Sequence, residues 1–276
     1  MFIDSHAHLF FKDFENDLDE VIQRARDAGV TAIINPGTDL PTSRRSVELA
    51  EKYEMIYACV GFHPHDASKA DDASLAEIEE LAAHPKVVAI GEIGLDYHYN
   101  YSPPDQQRDI FALQIDIAAR RDMPIVIHSR KAEPDTLRIV GEKTRYHSNW
   151  RTGSPKGVFH CFPGDVAMAK EVIGWGYFIS IPGTITFSSK PTKPNSMVSV
   201  VEQIPMEHIL LETDSPYLTP VPHRGKRNEP SHIPLIAKTI ADLKKCSIGE
   251  VGRGEYARRK KIIWSSTYLT LEILEQ

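Results

Sequence analysis

The stretch FIDSHAHLF, residues Phe2–Phe10, is a short apolar strand that runs directly into two histidines, His6 and His8. Side chains at positions i and i+2 of an extended segment point to the same face, so these two imidazoles can bind one ion together. The helical pattern DLDEVIQRARDAG (17–29) and the strand pattern VTAIINPG (30–37) follow. The three segments together predict a strand–helix–strand unit.

The same alternation continues along the chain. Further strands are predicted at IYACVGFHP, VVAIGEIGLD, PIVIHSR, GVFHCF, YFISIPGTI and HILLETDSP. Helical patterns such as SLAEIEELAAH, DQQRDIFALQIDIAARRD and DVAMAKEVIGWG lie between most of them. Eight strands alternating with helices predict an α/β fold, a (β/α)8 TIM barrel, as one domain over residues 1–276. A doubly wound sheet is the alternative, but it usually has fewer strands, and no G-x-G-x-x-G loop follows a strand.

Two segments fall outside this alternation. The segment GEKTRYHSNWRTGSPKG, Gly141 to Gly157, is interpreted as a loop insertion and as a place where substrate choice could differ between related barrels. The tail after Ser247 is predicted to be helical.

Composition restricts the class of protein. The chain has 276 residues, 41% of them hydrophobic and 25% charged, which suits one globular domain with a sizeable core. No apolar run approaches the roughly 18 residues of a membrane span, and no basic region with an apolar signal core begins the chain. Cys59, Cys161 and Cys246 form no CxxC pair, which suits a reducing compartment. We therefore expect a cytoplasmic, monomeric protein without a membrane partner.

The net charge of −6 argues against a broad electrostatic surface for duplex DNA, because non-specific affinity comes largely from neutralising phosphates. Any nucleic acid would have to be bound locally.

Polar side chains occur where seven of the eight predicted strands end. They are His6, His8, Asn35, His63, His65, Glu92, His128, His160 and Asp214. The carboxyl ends of barrel strands converge on one mouth, so these residues are expected to be neighbours. Burying a lone carboxylate such as Glu92 is costly without a partner, and a metal ion is the simplest one. A structural ion pair for Glu92 and solvated imidazoles for the histidines are the alternatives. Glu212 shares the strand parity of Asp214 and is expected to support the site by hydrogen bonding.

The segments that carry these residues resemble the TatD family of metal-dependent deoxyribonucleases, within the amidohydrolase-like barrels. The matching motifs are FIDSHAHL, GFHPH, GEIGLDYH, PIVIHSRKA, FHCFPG, LLETDSPYL and RGKRNEP, in the family's order from Phe2 to Pro230. The segment ARRKKIIWSSTYLTLEILEQ departs from the family, because it lacks the ending T-x-N-x-x-x-x-F. This departure puts the last helix in doubt but not the metal site.

The resemblance implies a dinuclear metal site. One divalent ion would be bound by His6, His8, Glu92 and Asp214, and the second by Glu92, His128 and His160, so that Glu92 bridges the two. Two divalent cations and two carboxylates leave a local charge of about +2, which attracts a phosphodiester. By the same resemblance, Asp214 orients or deprotonates the attacking water, which makes Asp214 and Glu92 the candidate catalytic residues.

Further residues are candidates for substrate binding. The resemblance places His63 and His65 where they can reach a phosphate or the leaving oxygen, whereas stabilising a turn around Pro64 is the alternative. Arg224, Lys226 and Arg227 follow the strand that bears Asp214, so phosphate contact is favoured over a solvated surface. The three tyrosines after Glu92 have two equal interpretations, base stacking or loop packing; they are Tyr97, Tyr99 and Tyr101.

The identity of the metal stays open. Four histidines and two carboxylates suit zinc, manganese, cobalt or nickel better than calcium or magnesium. The family resemblance instead implies nuclease activity supported by magnesium.

Three classes of function follow from these residues. The first is a metal-dependent hydrolase of phosphodiesters, a deoxyribonuclease acting as an exonuclease on DNA ends or single strands, since no long basic groove is visible. The second is a barrel hydrolase of amide or ester bonds in small molecules or nucleic-acid adducts. The third is a non-catalytic binding protein. The basic residues near the mouth favour the first class, and the complete ligand set disfavours the third.

Overall fold

Eight parallel strands alternate with helices in the computed structural model, which describes residues 1–99, 101–187 and 196–252. The strands are β1 (Phe2–Asp4), β2 (Val30–Pro36), β3 (Ile56–Val60), β4 (Val87–Asp96), β5 (Ile125–Arg130), β6 (Gly157–Phe159), β7 (Tyr177–Ile181) and β8 (Ile209–Leu211). The main helices are α1 (Leu18–Asp27), α2 (Leu40–Lys52), α3 (Asp72–Leu81), α4 (Pro104–Arg120), α5 (Glu133–Tyr146), α6 (Val166–Gly174), α7 (Met197–Gln203) and α8 (Ile233–Lys244).

The sheet order is β1 to β8 without a crossover, which is the order of a TIM barrel and confirms the predicted fold class. A doubly wound sheet would reverse its strand order part-way. The two ends of the sheet meet through backbone hydrogen bonds. Ser5 N donates to Leu211 O at 2.9 Å, and Asp214 N donates to His6 O at 2.9 Å. Whether the domain extends over all of residues 1–276 stays a prediction.

Strand parity separates two apolar layers. Val126, Val158 and Leu210 each lie two residues before an inward-facing polar residue, and they belong to one buried cluster that fills the barrel beneath the mouth. The alternate residues, such as Ile125 and Phe159, join a larger cluster with apolar side chains of the helices. The polar residues at the mouth therefore lie directly above a layer of packed apolar side chains.

The interpretation of residues Gly141 to Gly157 as a loop is wrong in its first part. Helix α5 runs to Tyr146, and only the following ten residues connect it to β6. This connection packs against the segment before β5, where Trp150 Nε1 donates to Met123 O at 2.9 Å. Segments that lead into strands lie at the opposite end of the barrel from the mouth. The connection therefore does not line the site, contrary to the expectation that it affects substrate choice.

The predicted helical tail begins with helical residues 248–252. The remainder of the tail, including ARRKK, lies outside the described residues.

Candidate metal centre

Glu92 stands in the middle of β4 and directs its two carboxylate oxygens towards two different groups of side chains. Its Oε2 lies 3.2 Å from His6 Nε2 and 3.5 Å from His8 Nε2. Asp214 Oδ1 completes this first group, at 3.9 Å from His6 Nε2 and 3.6 Å from His8 Nε2.

The second group surrounds the other oxygen of the same carboxylate. Glu92 Oε1 lies 2.9 Å from both His128 Nδ1 and His160 Nε2, and these two nitrogens are 3.3 Å apart. His63 Nε2 also lies in this group, 3.4 Å from Oε1. The structure therefore brings together all six predicted ligands, and it adds His63, for which the family resemblance implied a substrate contact.

The spacing of these donor atoms suits metal ions. Neighbouring ligands at 2.0–2.1 Å from one ion are separated from each other by about 2.8–3.0 Å in octahedral geometry and about 3.3–3.4 Å in tetrahedral geometry. The two nitrogens His6 Nε2 and His8 Nε2 face each other at 3.1 Å. Imidazole nitrogens and carboxylate oxygens within 4.8 Å of one another form three groups among the described residues, namely His6, His8 and Asp214; His63, Glu92 and His128; and His6, His160 and Glu212. The residues present thus fit the metals that the resemblance implies.

Burial and mutual charge shift the pKa values of these groups. Burial lowers the pKa of His63 to about 4 and also lowers that of His6. Burial alone would raise the pKa of Glu92, but the positive charges of His160, His63 and His6 hold it well below its usual value. Conversely, burial would lower the pKa of His160, whereas Glu92 and Glu212 raise it well above its usual value. Since a ligand imidazole must be neutral, binding of a cation at His160 would release a proton.

The position of Asp214 depends on a buried carboxylate at the end of β1. Asp4 Oδ1 accepts from Thr213 N at 2.9 Å, and Asp4 Oδ2 accepts from Thr213 Oγ1 at 2.5 Å. Burial raises the pKa of Asp4 to about 7. Asp214 itself has a positive φ of 55°, a conformation that aspartate tolerates better than most residues. Asp4 therefore holds the turn that carries Asp214.

Glu212 and Asn35 also support the site. As expected, Glu212 makes hydrogen bonds one layer deeper, accepting from Cys161 N and from Ser180 Oγ, both at 2.6 Å. Its Oε2 lies 3.6 Å from His160 Nδ1. Asn35 Oδ1 accepts from Leu9 N at 2.6 Å, which fixes the segment after the two N-terminal histidines.

Asp96 is a site residue that the sequence reasoning missed. Its side chain is buried, and its Oδ2 lies 2.9 Å from His65 Nε2 and 3.2 Å from His128 Nε2. Burial opposes ionisation of Asp96, but hydrogen bonds from His128 and His65 hold its pKa far below the usual value. Strand parity could have identified it. Asp96 follows Glu92 by four residues on the same strand, so both side chains face the same side of the sheet. His65 therefore contacts Asp96, and its predicted contact with substrate stays a prediction.

The three tyrosines after β4 differ in their environments. Tyr97 is partly buried, donates from its hydroxyl to Asp135 Oδ2 at 2.7 Å and packs the loop. Tyr99 and Tyr101 are exposed by 40% and 68%, and their rings stack with centroids 5.5 Å apart.

The three basic residues after β8 also differ. Arg227 donates to both carboxylate oxygens of Asp17, at 2.7 and 2.6 Å, so its guanidinium already has a partner within the protein. Arg224 is exposed and lies over the ring of Phe187, 4.2 Å from its centroid. Lys226 is exposed as well. Phosphate contact by these residues stays a prediction. Arg224 and Lys226 are better placed for it than Arg227, because Arg227 is already paired with Asp17.

The three cysteines are free, with Cys59 buried in the barrel interior. No helix in the described part of the chain combines the length and the apolar character required to cross a membrane.

The sequence profile of the family described as "TatD related DNase" matches residues 3–258. The chain belongs to the TatD family. Among TatD relatives, the metal-dependent hydrolase YabD of Bacillus subtilis, which is named as uncharacterized, is 43% identical over 91% of this chain and 94% of its own length. The protein of Escherichia coli K12 named "3'-5' ssDNA/RNA exonuclease TatD" is 36% identical over 86% of this chain and 89% of its own length.

A solved TatD structure supports the same assignment. The TatD homologue YJJV of Escherichia coli superposes with a TM-score of 0.84 at 30% identity, covering 95% of this chain and 97% of that protein. The chain is thus a TatD-family metal-dependent hydrolase with a barrel fold.

Proposed function

We propose that this TatD-family protein hydrolyses phosphodiester bonds of DNA, acting as an exonuclease on single strands or ends. The observation that carries the proposal is the pair of donor groups that share Glu92. Each group can hold one divalent cation, and a shared carboxylate would keep the two cations close enough to act on one phosphate. Relatives about 36% identical are named as exonucleases of single-stranded DNA and RNA, which supports the choice of substrate.

His6, His8, Glu92 and Asp214 would hold one divalent cation, and Glu92, His128 and His160 would hold the other. When bound, two such cations lower the pKa of a shared water and stabilise charge on the attacking and leaving oxygens. Magnesium, manganese and zinc are the candidates, since the histidines favour the transition metals and the carboxylates accept magnesium.

The chain's own residues contribute orientation and proton transfer. Burial opposes ionisation of Asp214, but a hydrogen bond from His8 and the charges of the neighbouring histidines hold its pKa below the usual value. Asp214 is therefore ionised near neutral pH and can accept a proton from the attacking water through a carboxylate oxygen. Arg224 and Lys226 would attract the phosphates that flank the scissile bond.

The experiment compares substrates and metals. Protein freed of metal with a chelator receives magnesium, manganese or zinc singly, and its turnover is measured on single-stranded DNA, blunt duplex DNA and a panel of small amides and esters. We expect metal-dependent release of nucleotides from single strands. Glu92→Gln should abolish this activity, whereas the control Glu48→Gln, on the exposed face of α2, should retain it. Turnover of amides or esters without turnover of DNA would instead support the alternative class, a small-molecule hydrolase.

A further inference from the structure

Two groups of side chains rich in aromatic rings lie on opposite sides of the metal centre, and all their members except the partly buried Phe11 are exposed. The first, the β4–β5 rim, consists of Tyr99 and Tyr101 after β4 and Arg130 at the end of β5. The second, the β8–β1 rim, consists of Phe11 after β1 and Tyr217 after β8. In a barrel with strand order β1 to β8, the β4–β5 pair stands across the mouth from the β8–β1 pair.

The β4–β5 rim is continuous with the site. The ring of His65 contacts both tyrosines, with its centroid 5.5 Å from Tyr99 and 4.9 Å from Tyr101. The guanidinium carbon of Arg130 lies 4.8 Å from the ring centroid of Tyr99, and Arg130 is exposed. This rim therefore offers a flat aromatic surface and a cation beside it, which are the two features that bind a base and its phosphate.

The β8–β1 rim reaches the other donor group. The ring of Phe11 lies 5.4 Å from that of His8 and 5.9 Å from that of Tyr217. Tyr217 is 55% exposed, so one face of this pair is available to a ligand. Adjacent apolar rings at the surface beside a polar site are a common mark of ligand binding.

We propose, on the basis of the function proposed above, that the two rims bind the nucleobases on either side of the scissile phosphate. The backbone of a single strand would cross the mouth above Glu92, with one base on Tyr99 and Tyr101 and the other on Phe11 and Tyr217. Because the rims stand on opposite sides of the mouth, the two bases are unstacked and unpaired. The rims thus select single strands and frayed ends over duplex DNA, and they explain how an acidic protein binds nucleic acid locally.

The test combines variants that lack one tyrosine ring with substrates that lack one base. Substrates are decathymidylates that carry one abasic residue at the first, second or third position from the end that the parent protein degrades. Stacking of one base contributes a factor of about 5 to 150, so we expect Tyr101→Ala, Tyr99→Ala and Tyr217→Ala to lower kcat/KM on the intact strand by that factor. Tyr146→Ala is the matched control, since Tyr146 is 82% exposed at the end of α5, which faces away from the mouth.

If a tyrosine stacks on a base, the effects of removing the ring and removing the base on kcat/KM are not additive, whereas a purely structural role would leave them additive. A tyrosine that stacks on a given base has nothing further to lose when that base is absent, so each variant should equal the parent on one of the abasic strands. The tyrosines of the two rims should couple to adjacent, different positions. Equal losses on intact and abasic strands, or no loss in any variant, would overturn the inference while leaving the nuclease assignment intact. Absence of DNA cleavage by the parent protein would overturn both.

Discussion

At the scale of single residues, polar side chains after apolar runs predicted nine residues at the mouth, and the family resemblance separated six of them as candidate ligands. Asp96 was missed although the predicted strand VVAIGEIGLD already ends on it, because Glu92 alone was considered as the polar residue of that strand. The roles of His63 and Arg227 depend on which atoms they face, and this is set by loops whose geometry the sequence pattern does not determine. The contact of His63 with Glu92 and the ion pair of Arg227 with Asp17 are therefore evident only in the structure.

The first prediction concerns Glu92, whose two oxygens face different donor groups. Glu92→Ala should lose both metals, whereas His160→Ala should chiefly weaken one, because the two oxygens of Glu92 face the two donor groups and His160 Nε2 lies in one of them. Metal content per chain, measured by mass spectrometry after dialysis against dilute metal, distinguishes the two variants. The same loss in both would contradict a bridging role for Glu92.

The second prediction concerns Asp214. Asp214→Asn keeps nearly the same shape but removes the charge and the basic oxygen, so nuclease turnover should fall by about 10²–10⁴-fold even at saturating metal. Arg224→Ala and Lys226→Ala should raise KM more than they lower kcat, because ground-state binding of phosphate is their proposed contribution. Initial rates against oligonucleotide and metal concentration test all three variants. Full turnover of Asp214→Asn at saturating metal would show that Asp214 serves only as a metal ligand.

At the scale of secondary-structure elements, all eight strands were predictable because buried parallel strands have continuous apolar runs. Helix α5 was not among the helical segments named from the sequence, and its residues from Gly141 onward were interpreted as a loop. Its last turns contain Gly141 and several polar residues, which gives them a weak helical pattern. Gly141 lies against Trp175, and a Cβ atom there would stand 3.4 Å from the indole ring. Packing between helices, which the local sequence does not show, therefore extends α5.

The third prediction concerns the close pairing of β4 and β5 beneath the mouth. Gly94 has a φ of +139°, and a Cβ atom at this position would lie 2.0 Å from His128 O. Gly94→Ala should therefore destabilise the protein by at least about 2 kcal/mol, from backbone strain and overpacking together. Gly174→Ala, at the end of α6 with open space around it, is the control and should change the stability by less than about 1 kcal/mol. Urea unfolding measures both variants, and parental stability of Gly94→Ala would contradict this account.

At the scale of the whole molecule, the barrel must close between its first and last strands, and the sequence gives no sign of how. The structure shows an ion-pair network beside that junction. Glu229, which follows β8, accepts from Arg24 Nε at 2.8 Å and from Arg24 Nη2 at 2.7 Å. Arg24 belongs to α1, and it also reaches Asp17 at 3.3 Å, the partner of Arg227. The basic residue that the sequence suggested for phosphate thus contributes to closing the barrel.

The fourth prediction is that Glu229→Gln lowers the free energy of unfolding by about 1–3 kcal/mol at pH 7, because it replaces a charged, bidentate acceptor with a neutral one. The side chain of Glu229 is only 12% exposed, so the pair is partly protected from solvent. Urea unfolding of parent and variant gives the difference. Glu48→Gln, in an exposed i,i+3 pair where Glu48 is 60% exposed, should lose less than about 0.5 kcal/mol.

The pH dependence of this difference tests its electrostatic origin. Burial alone would raise the pKa of Glu229, but hydrogen bonds from Arg24 and Ser231 lower it below its usual value. A carboxylate with a lowered pKa binds protons more weakly in the folded state, so its stabilisation is complete above the unfolded value of about 4.3 and is lost as the pH falls. The gap between parent and Glu229→Gln should therefore stay constant from pH 7 to about 5 and close below about pH 4. If the difference in free energy of unfolding is undiminished at pH 3, Glu229 stabilises the closure of the barrel by packing and its charge makes no contribution.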